Sequence, residues 1–146
     1  MNEFMEQAIA LAKEAAKRGE IPVGAVIVRN GEVIATGSNR REELKSALGH
    51  AEIEAIHNAC QKLGTWRLSD CEIYVTLEPC PMCAGAIINS RIKKVVFGAF
   101  DKNGGACDSV CNLLSMPFSA KPEVWAGIME EECKELLGDF FKSVRD

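Results

Sequence analysis

Two short motifs constrain the fold of this chain more than any other feature. Residues 50–52 read His-Ala-Glu, and residues 79–83 read Pro-Cys-Pro-Met-Cys. Pro81 suits the first turn of a helix, because the N–H that proline lacks would have no partner there. Residues 50–63 carry apolar side chains at helical spacing. Each motif therefore predicts the start of a helix.

The two cysteines and the histidine are suited to bind a metal ion. A Cys-x-x-Cys pair at a helix start lies near unpaired N–H groups, which favour the thiolates that bind metals. Cys80, Cys83 and His50 supply three ligands typical of zinc, and the fourth tetrahedral position is left for water, as in catalytic sites. We therefore expect one catalytic Zn²⁺ ion.

Glu52 is the expected proton carrier. It follows His50 by two positions, about 200° around a helix, so the two side chains cannot share a helical face. If the first helical turn meets the metal end-on, Glu52 reaches the water without binding the ion. Zinc lowers the pKa of that water towards about 7, and the carboxylate can pass its proton to a leaving amine. The motifs therefore predict hydrolytic deamination.

Two other interpretations of the cysteines stay open. Cys107 and Cys111 could join Cys80 and Cys83 in a four-sulfur structural zinc site. A redox pair would use the Cys-x-x-Cys motif alone and leave the His-x-Glu motif unexplained. The remaining cysteines, Cys60, Cys71 and Cys133, are expected to be small buried hydrophobic residues.

Composition limits the class of protein. The chain has 146 residues, 47% of them hydrophobic, which predicts one compact domain over residues 1–146. No segment approaches the about 20 apolar residues that span a bilayer, and residues 1–20 do not resemble a signal peptide. We expect a cytoplasmic protein without membrane contact. A net charge of −4 means that any nucleic acid must be held by a local patch.

Strands and helices are predicted to alternate after an initial hairpin that turns at Asn30-Gly31. This order predicts an α/β fold in which one mixed sheet has helices on both faces. The closing helix has an apolar stripe expected to face the core. Residues 38–49 and 98–110 are expected to be irregular. The predicted helices are 2–18, 50–63, 81–90 and 130–144, and the predicted strands are 23–28, 32–36, 72–77, 94–97 and 124–128.

The two motifs together resemble the signature of the zinc-dependent nucleobase deaminases, His-x-Glu followed by Pro-Cys-x-x-Cys. Within that superfamily the chain is similar to the bacterial tRNA adenosine deaminases from its first helix to its last. The matching stretches beyond the two motifs include residues 21–26, 64–68, 74–78, 84–86, 95–99, 130–133 and 140–141.

The resemblance implies a cytidine-deaminase-like, three-layer αβα sandwich with a mixed central sheet of about five strands. It implies a homodimer that converts adenosine to inosine at position 34 of the tRNA anticodon loop. An anticodon base is already unpaired, which lowers the cost of extruding it. His50, Cys80 and Cys83 match the family's zinc ligands, and Glu52 matches its proton shuttle.

Four further residues match the family's substrate contacts. Asn39 matches an amide that hydrogen-bonds the purine, and Val23 matches an apolar wall against the flipped base. Asp101 matches a contact to the ribose or backbone of the substrate. Phe141 is expected to stack or wedge in the RNA site. From the residues alone, Asn39 is a turn residue, Asp101 a loop cap and Phe141 part of the core stripe. Both interpretations of each residue stay open.

Some features depart from the family. The chain lacks the basic tail that many members carry, so a weaker hold on RNA is expected, and residues 46–49 differ from the usual loop. The remaining basic clusters are Arg40, Arg41 and Lys45, and Arg91, Lys93 and Lys94.

Two alternatives to a tRNA deaminase stay open. One is a deaminase of a free nucleobase or nucleoside, of guanine or cytosine type, and the other is a non-catalytic structural zinc module.

Overall fold

The computed structural model describes residues 2–145. Within them no helix is both long and apolar enough to cross a membrane. The predicted order of elements is confirmed, with a short helix α2 and a 3-10 turn at Leu113–Ser115 in addition. The helices are α1 Glu3–Lys17, α2 Arg41–Leu44, α3 Ala51–Leu63, α4 Pro81–Asn89 and α5 Glu130–Arg145, and the strands are β1 Gly24–Arg29, β2 Glu32–Ser38, β3 Cys71–Leu77, β4 Lys94–Ala99 and β5 Glu123–Trp125.

The five strands form one mixed sheet in the order β2-β1-β3-β4-β5. β1 is antiparallel to both β2 and β3, and β3, β4 and β5 run parallel. Asn30 and Gly31 close the hairpin with φ values of 52° and 78°. Both angles are positive, as a tight two-residue hairpin turn requires.

Helices cover both faces of the sheet. Because side chains alternate along a strand, Ala25 and Ile27 of β1 pack on the α3 and α4 side. Val26 and Val28 pack on the other side, against α1 and α5. The predicted three-layer α/β architecture with helices on both faces is therefore confirmed.

Three predicted strand ends are wrong, and one of them is that of β2, which continues to Ser38 rather than ending at residue 36. β4 continues through Gly98, where a loop was expected, because its pairing with β3 extends to Leu77 and Ala99. The glycine allows close packing of α5, since a Cβ at Gly98 would lie 2.3 Å from the sulfur of Cys133. β5 ends at Trp125 rather than at residue 128, since Gly127 soon turns the backbone with a φ of 74°.

The apolar stripe of α5 faces the core only in part. Cys133 is buried, but Phe141 is 43% exposed and Val144 is 62% exposed. The prediction that the whole stripe is core-facing is therefore wrong for the last turns of the helix. Phe141 is available for contacts outside the core.

One edge of the sheet gathers the chain segments that carry the predicted site. Gly24 at the start of β1 pairs with Ser38 at the end of β2, so Val23 and Asn39 are neighbours there. Leu77 at the end of β3 pairs with Ala99 at the end of β4. The segments that follow these parallel strands therefore leave the sheet at the same edge, a usual place for ligand sites in α/β folds.

Candidate active site

The metal-binding group forms where α3 and α4 begin. His50 is the N-cap of α3 and Cys80 is the N-cap of α4, as the motifs predict, and neither side chain caps its own helix. The Nδ1 atom of His50 lies 3.6 Å from the sulfur of Cys80 and 3.5 Å from the sulfur of Cys83. The ligand atoms of all three residues lie within 4.8 Å of one another. One metal ion can therefore contact all three.

The three side chains of this group shift one another's pKa values. A hydrogen bond from the Cys83 thiol, together with a weaker effect of His50, lowers the pKa of Cys80 to about 4, although burial opposes the change. The same bond raises the pKa of Cys83, and contact with Cys80 raises the pKa of His50. Cys80 therefore loses its proton much more readily than Cys83, and its place at the start of α4, near unpaired N–H groups, also favours the thiolate.

Glu52 lies in the first turn of α3 and is only 4% exposed. Burial raises its pKa to about 7, although hydrogen bonding and the nearby His50 oppose the rise. A carboxyl group with a pKa near the working pH can both accept and release a proton. This property was not foreseen from the sequence, which predicted only the position of Glu52 beside the metal.

A cavity of about 350 Å³ opens onto this group. Cys83 is fully buried, and the other seven predicted site residues line the cavity. The structure therefore brings the predicted metal, proton-transfer and substrate residues into one site. The seven lining residues are Val23, Asn39, His50, Glu52, Cys80, Asp101 and Phe141.

Asn39 forms the predicted turn and also lines the cavity. Its Oδ1 atom accepts a hydrogen bond from the backbone N–H of Arg41 at 3.1 Å, which makes the predicted turn. Its side chain also lines the cavity and is 6% exposed. The Nδ2 group, which makes no hydrogen bond to residues 2–145, is free to donate to a ligand.

Asp101 likewise caps its loop, as predicted, and lines the cavity. Its Oδ1 atom accepts hydrogen bonds from the backbone N–H groups of Asn103 and Gly104, both at 3.2 Å. These bonds cap the loop after β4, and the same residue lines the cavity. The loop therefore fixes an acidic side chain at the cavity wall.

Two buried glutamates hold the cavity walls, and neither was predicted. Glu20 accepts hydrogen bonds from the first turn of α2, next to Asn39. Glu78 accepts four from the loop after β4. Burial alone would raise the pKa of Glu78, but the hydrogen bonds from Ser109 and the loop backbone outweigh it and hold the pKa below its usual value. A signal for Glu78 was its position between an apolar strand and the Pro-Cys motif.

The four cysteines of the structural-site alternative do not form one group. Among residues 2–145, the only histidine, cysteine and acidic side chains grouped closely enough to hold one ion are His50, Cys80 and Cys83. Cys107 is buried with its sulfur 3.9 Å from the carbonyl of Pro79, and Cys111 is exposed.

The other three cysteines follow the prediction in part. Cys71 and Cys133 are buried as expected, whereas Cys60 is half-buried.

The predicted basic clusters are engaged within the chain in part. Arg40 binds the carboxylate of Glu54 at 2.8 Å, and Lys94 lies 3.6 Å from the centre of the Trp125 ring. Arg41 lines the cavity, as does Lys102, which was not among the predicted residues. The positive charge next to the site therefore comes from these two side chains.

A mixed sheet between two helical layers, with a His-Cys-Cys group and a buried glutamate where two helices begin, defines the class of nucleobase deaminases. A family model described as MafB19-like deaminase matches residues 1–145.

Known proteins give the same assignment. The tRNA-specific adenosine deaminase of Bacillus subtilis is 51% identical over 97% of this chain and 89% of its own length. A structure from studies of A-to-I editing by tRNA:A34 deaminases at the wobble position is 46% identical, with a TM-score of 0.90 over 92% of this chain and 99% of the other. The guanine deaminase of Nitrosomonas europaea is 26% identical, with a TM-score of 0.84 over 94% of this chain and 82% of the other.

The chain belongs to this deaminase family, within the group of the tRNA-specific adenosine deaminases. The resemblance drawn from the motifs is therefore confirmed.

Proposed function

We propose that residues 1–146 form one zinc-dependent deaminase domain that hydrolyses adenosine to inosine at wobble position 34 of tRNA anticodons. The observation that carries the proposal is Glu52, a carboxyl group only 4% exposed that lines the same cavity as His50 and Cys80. The high identity to proteins named tRNA-specific adenosine deaminase supports the choice of substrate.

The donor set fits zinc. His50, Cys80 and Cys83 would hold the ion, and two sulfurs with one imidazole nitrogen leave a fourth position open, as in catalytic zinc sites. When bound, zinc lowers the pKa of a water molecule towards about 7 and so supplies a nucleophile at neutral pH.

Glu52 moves the protons of the reaction. The oxygen of water bonds to C6 of the adenine, and the exocyclic amine leaves as ammonia. Glu52 accepts a proton from the water and delivers it to the departing amine. A pKa of about 7 allows the same carboxyl group to serve as base and then as acid at neutral pH.

The other cavity residues hold the nucleotide. Asn39 hydrogen-bonds the purine through its amide, and Val23 packs against the face of the base. Asp101 contacts the ribose or backbone, and Phe141 stacks or wedges against the RNA. The exposure of Phe141 at 43% and its place on the cavity wall support this role.

Deamination of a free nucleobase such as guanine is the second candidate, because a guanine deaminase shares the fold. The metal group and Glu52 would serve either reaction. The positive side chains of Arg41 and Lys102 at the cavity favour a polyanionic substrate.

We further propose a homodimer that acts in the cytoplasm, where its tRNA substrate is found. Leu44 and Leu48 are 58% and 62% exposed. With Ile53 they line an apolar groove beside the site. Exposed apolar patches of this kind are typical of protein interfaces, and a second copy of the chain would cover this one.

The proposal is tested by incubating zinc-loaded protein with an anticodon stem-loop that has adenosine at position 34 and, separately, with free adenine, guanine and cytosine. We expect inosine at position 34 and no turnover of the free bases. Turnover of a free base with the stem-loop unchanged would instead establish the second candidate. Chelation should abolish activity and lower stability only in part, since the domain has its own core. Global unfolding by mild chelation would favour a structural zinc module.

A further inference from the structure

Glu78 connects the end of β3 to the loop that follows β4. Its side chain is 2% exposed, and it makes no ion pair with residues 2–145. Oε1 accepts the backbone N–H of Asp101 at 3.0 Å and the hydroxyl of Ser109. Oε2 accepts the backbone N–H groups of Cys107 at 3.1 Å and Ser109 at 2.9 Å. All four donors come from residues 101–109.

The loop is shaped around this carboxylate. A Cβ at Gly105 would lie 2.2 Å from Cδ of Glu78, so only glycine permits the observed approach. The N–H of Gly105 donates to the carbonyl of Asp101 at 2.8 Å, and the N–H of Ala106 donates to the carbonyl of Pro79 at 2.8 Å. The loop is thereby bound to the segment that leads into α4.

The side chain of Glu78 has no capacity left for chemistry. A carboxylate offers about four lone-pair sites, and the four hydrogen bonds from the loop occupy them. Glu78 lines the cavity, but it is not free to bind a metal or to carry a proton as Glu52 does. Its effect on the reaction must therefore pass through the loop that it holds.

That loop carries Asp101 to the cavity wall. The N–H of Asp101 is bound by Glu78, and its carboxylate is bound by the N–H groups of Asn103 and Gly104. Both the backbone and the side chain of Asp101 are thus held in place. We infer that Glu78 is a positioning residue that sets the place of Asp101 against the nucleotide and so controls substrate affinity, an inference that rests on the proposed function.

The test uses Glu78→Gln in the full-length, zinc-loaded protein. The side-chain amide of glutamine places N–H donors against the N–H donors of the loop and loses the charge that strengthens the bonds. We expect KM for the anticodon stem-loop to rise about tenfold or more, with kcat and zinc content nearly unchanged. Ser109→Ala removes the hydroxyl bond alone and should raise KM about threefold.

A double-mutant cycle with Asp101→Ala separates positioning from general destabilisation. If Glu78 acts through Asp101, Glu78→Gln raises KM far less in the Asp101→Ala background than in the wild type. Glu20→Gln is the matched control, because Glu20 is equally buried at 2% and holds the opposite wall. Its effect on KM should add to that of Asp101→Ala. Should Glu78→Gln fail to fold, the same cycle is run with Ser109→Ala in its place, and a smaller rise of KM in the Asp101→Ala background again indicates positioning.

Additive effects of Glu78→Gln and Asp101→Ala, or loss of zinc in Glu78→Gln, would overturn the inference. Amide hydrogen exchange gives a readout that does not need turnover: the N–H groups of Asp101, Cys107 and Ser109 should exchange faster in Glu78→Gln. If the wild type leaves the stem-loop unchanged, the proposed function fails. Unaltered exchange in an active Glu78→Gln would instead refute the positioning role alone.

Discussion

The Nδ1 atom of His50 lies 3.5 Å from the sulfur of Cys83, although 33 positions separate the two residues in the chain. The contact exists because α3 and α4 begin at the same edge of the sheet and present their first turns to each other. The three ligands therefore come from two different helices, and the metal-binding group forms only in the folded chain.

Replacing a ligand should remove the metal. We expect Cys83→Ser to bind zinc more than about 100-fold more weakly, since even changes around metal ligands cost 10- to 100-fold. Activity should fall in proportion. Cys111→Ser is the control, because that thiol is exposed and outside the group. Zinc content by atomic emission and competition with a chromophoric chelator provide the measurement. Loss of zinc from the Cys111→Ser protein would instead support the four-sulfur structural zinc site.

Glu52→Gln should abolish the reaction and leave the metal in place. The amide cannot carry a proton, so kcat should fall by about 10²- to 10⁴-fold. Glu14→Gln, a change at an exposed position on α1, serves as the control. Kinetics on the stem-loop and zinc analysis should be run on the same samples. An active Glu52→Gln protein would show that another group moves the proton, whereas no measurable reaction even in the wild type would favour a non-catalytic module.

Much of the site could be predicted, because its chemistry lies in local motifs. The positions of His50 and Cys80, where α3 and α4 begin, follow from residue types that favour the start of a helix. The roles of Glu20 and Glu78 do not follow from a local motif, since their partners include backbone N–H groups of distant segments. A sequence shows a glutamate but not the donors that bury it.

The same limit explains the errors in the helices. The apolar stripe of α5 is real, but its periodicity does not reveal where the sheet beneath it ends, so the pattern alone could not distinguish a core position for Phe141 from an exposed one. Helix α2 has four residues, too few for a periodic pattern, and it is stabilised by Glu20. In both cases tertiary contacts decide the outcome.

Charge reversal at Arg41 should weaken tRNA binding specifically. Arg41 lines the cavity, unlike Arg40, which is bound to Glu54. We expect Arg41→Glu to raise KM for the stem-loop and to reduce its dependence on salt, because a phosphate contact is lost. Lys134→Glu, an equal charge change at an exposed position of α5, is the control. Equal salt dependence in the two variants would contradict a role for Arg41 in RNA binding.

The apolar groove predicts the oligomeric state. Leu48→Glu introduces a charge at a side chain that is 62% exposed, so the fold of the free chain should be unaffected. In a dimer the same charge would be buried without a partner, which is strongly unfavourable. We expect a dimer for the wild type and a monomer for Leu48→Glu in light scattering after gel filtration. Val110→Glu, at a position 60% exposed outside the groove, should remain dimeric.

Tyr74 should make the protein sensitive to alkaline pH. It is 5% exposed, packs against Phe4 with ring centres 5.2 Å apart, and donates a hydrogen bond to Glu72 at 3.2 Å. Burial, reinforced by the charge of Glu72, raises its pKa to about 12. The unfolded chain, whose tyrosine titrates near pH 10, loses the proton first. The stabilisation is therefore complete below pH about 10 and is lost as the pH rises towards about 12.

Tyr74→Phe removes this titration, so its free energy of unfolding should decline less than that of the wild type between pH about 10 and about 12. Cys71 and Cys133, whose pKa values burial raises to about 11, titrate in both proteins and cancel in the comparison. Urea unfolding across this range gives the free energies. Tyr74 is the single tyrosine of the chain, so ultraviolet absorbance of the phenolate reports its ionisation directly. Phenolate formation near pH 10 in the folded protein, or equal declines in both proteins, would contradict the assignment.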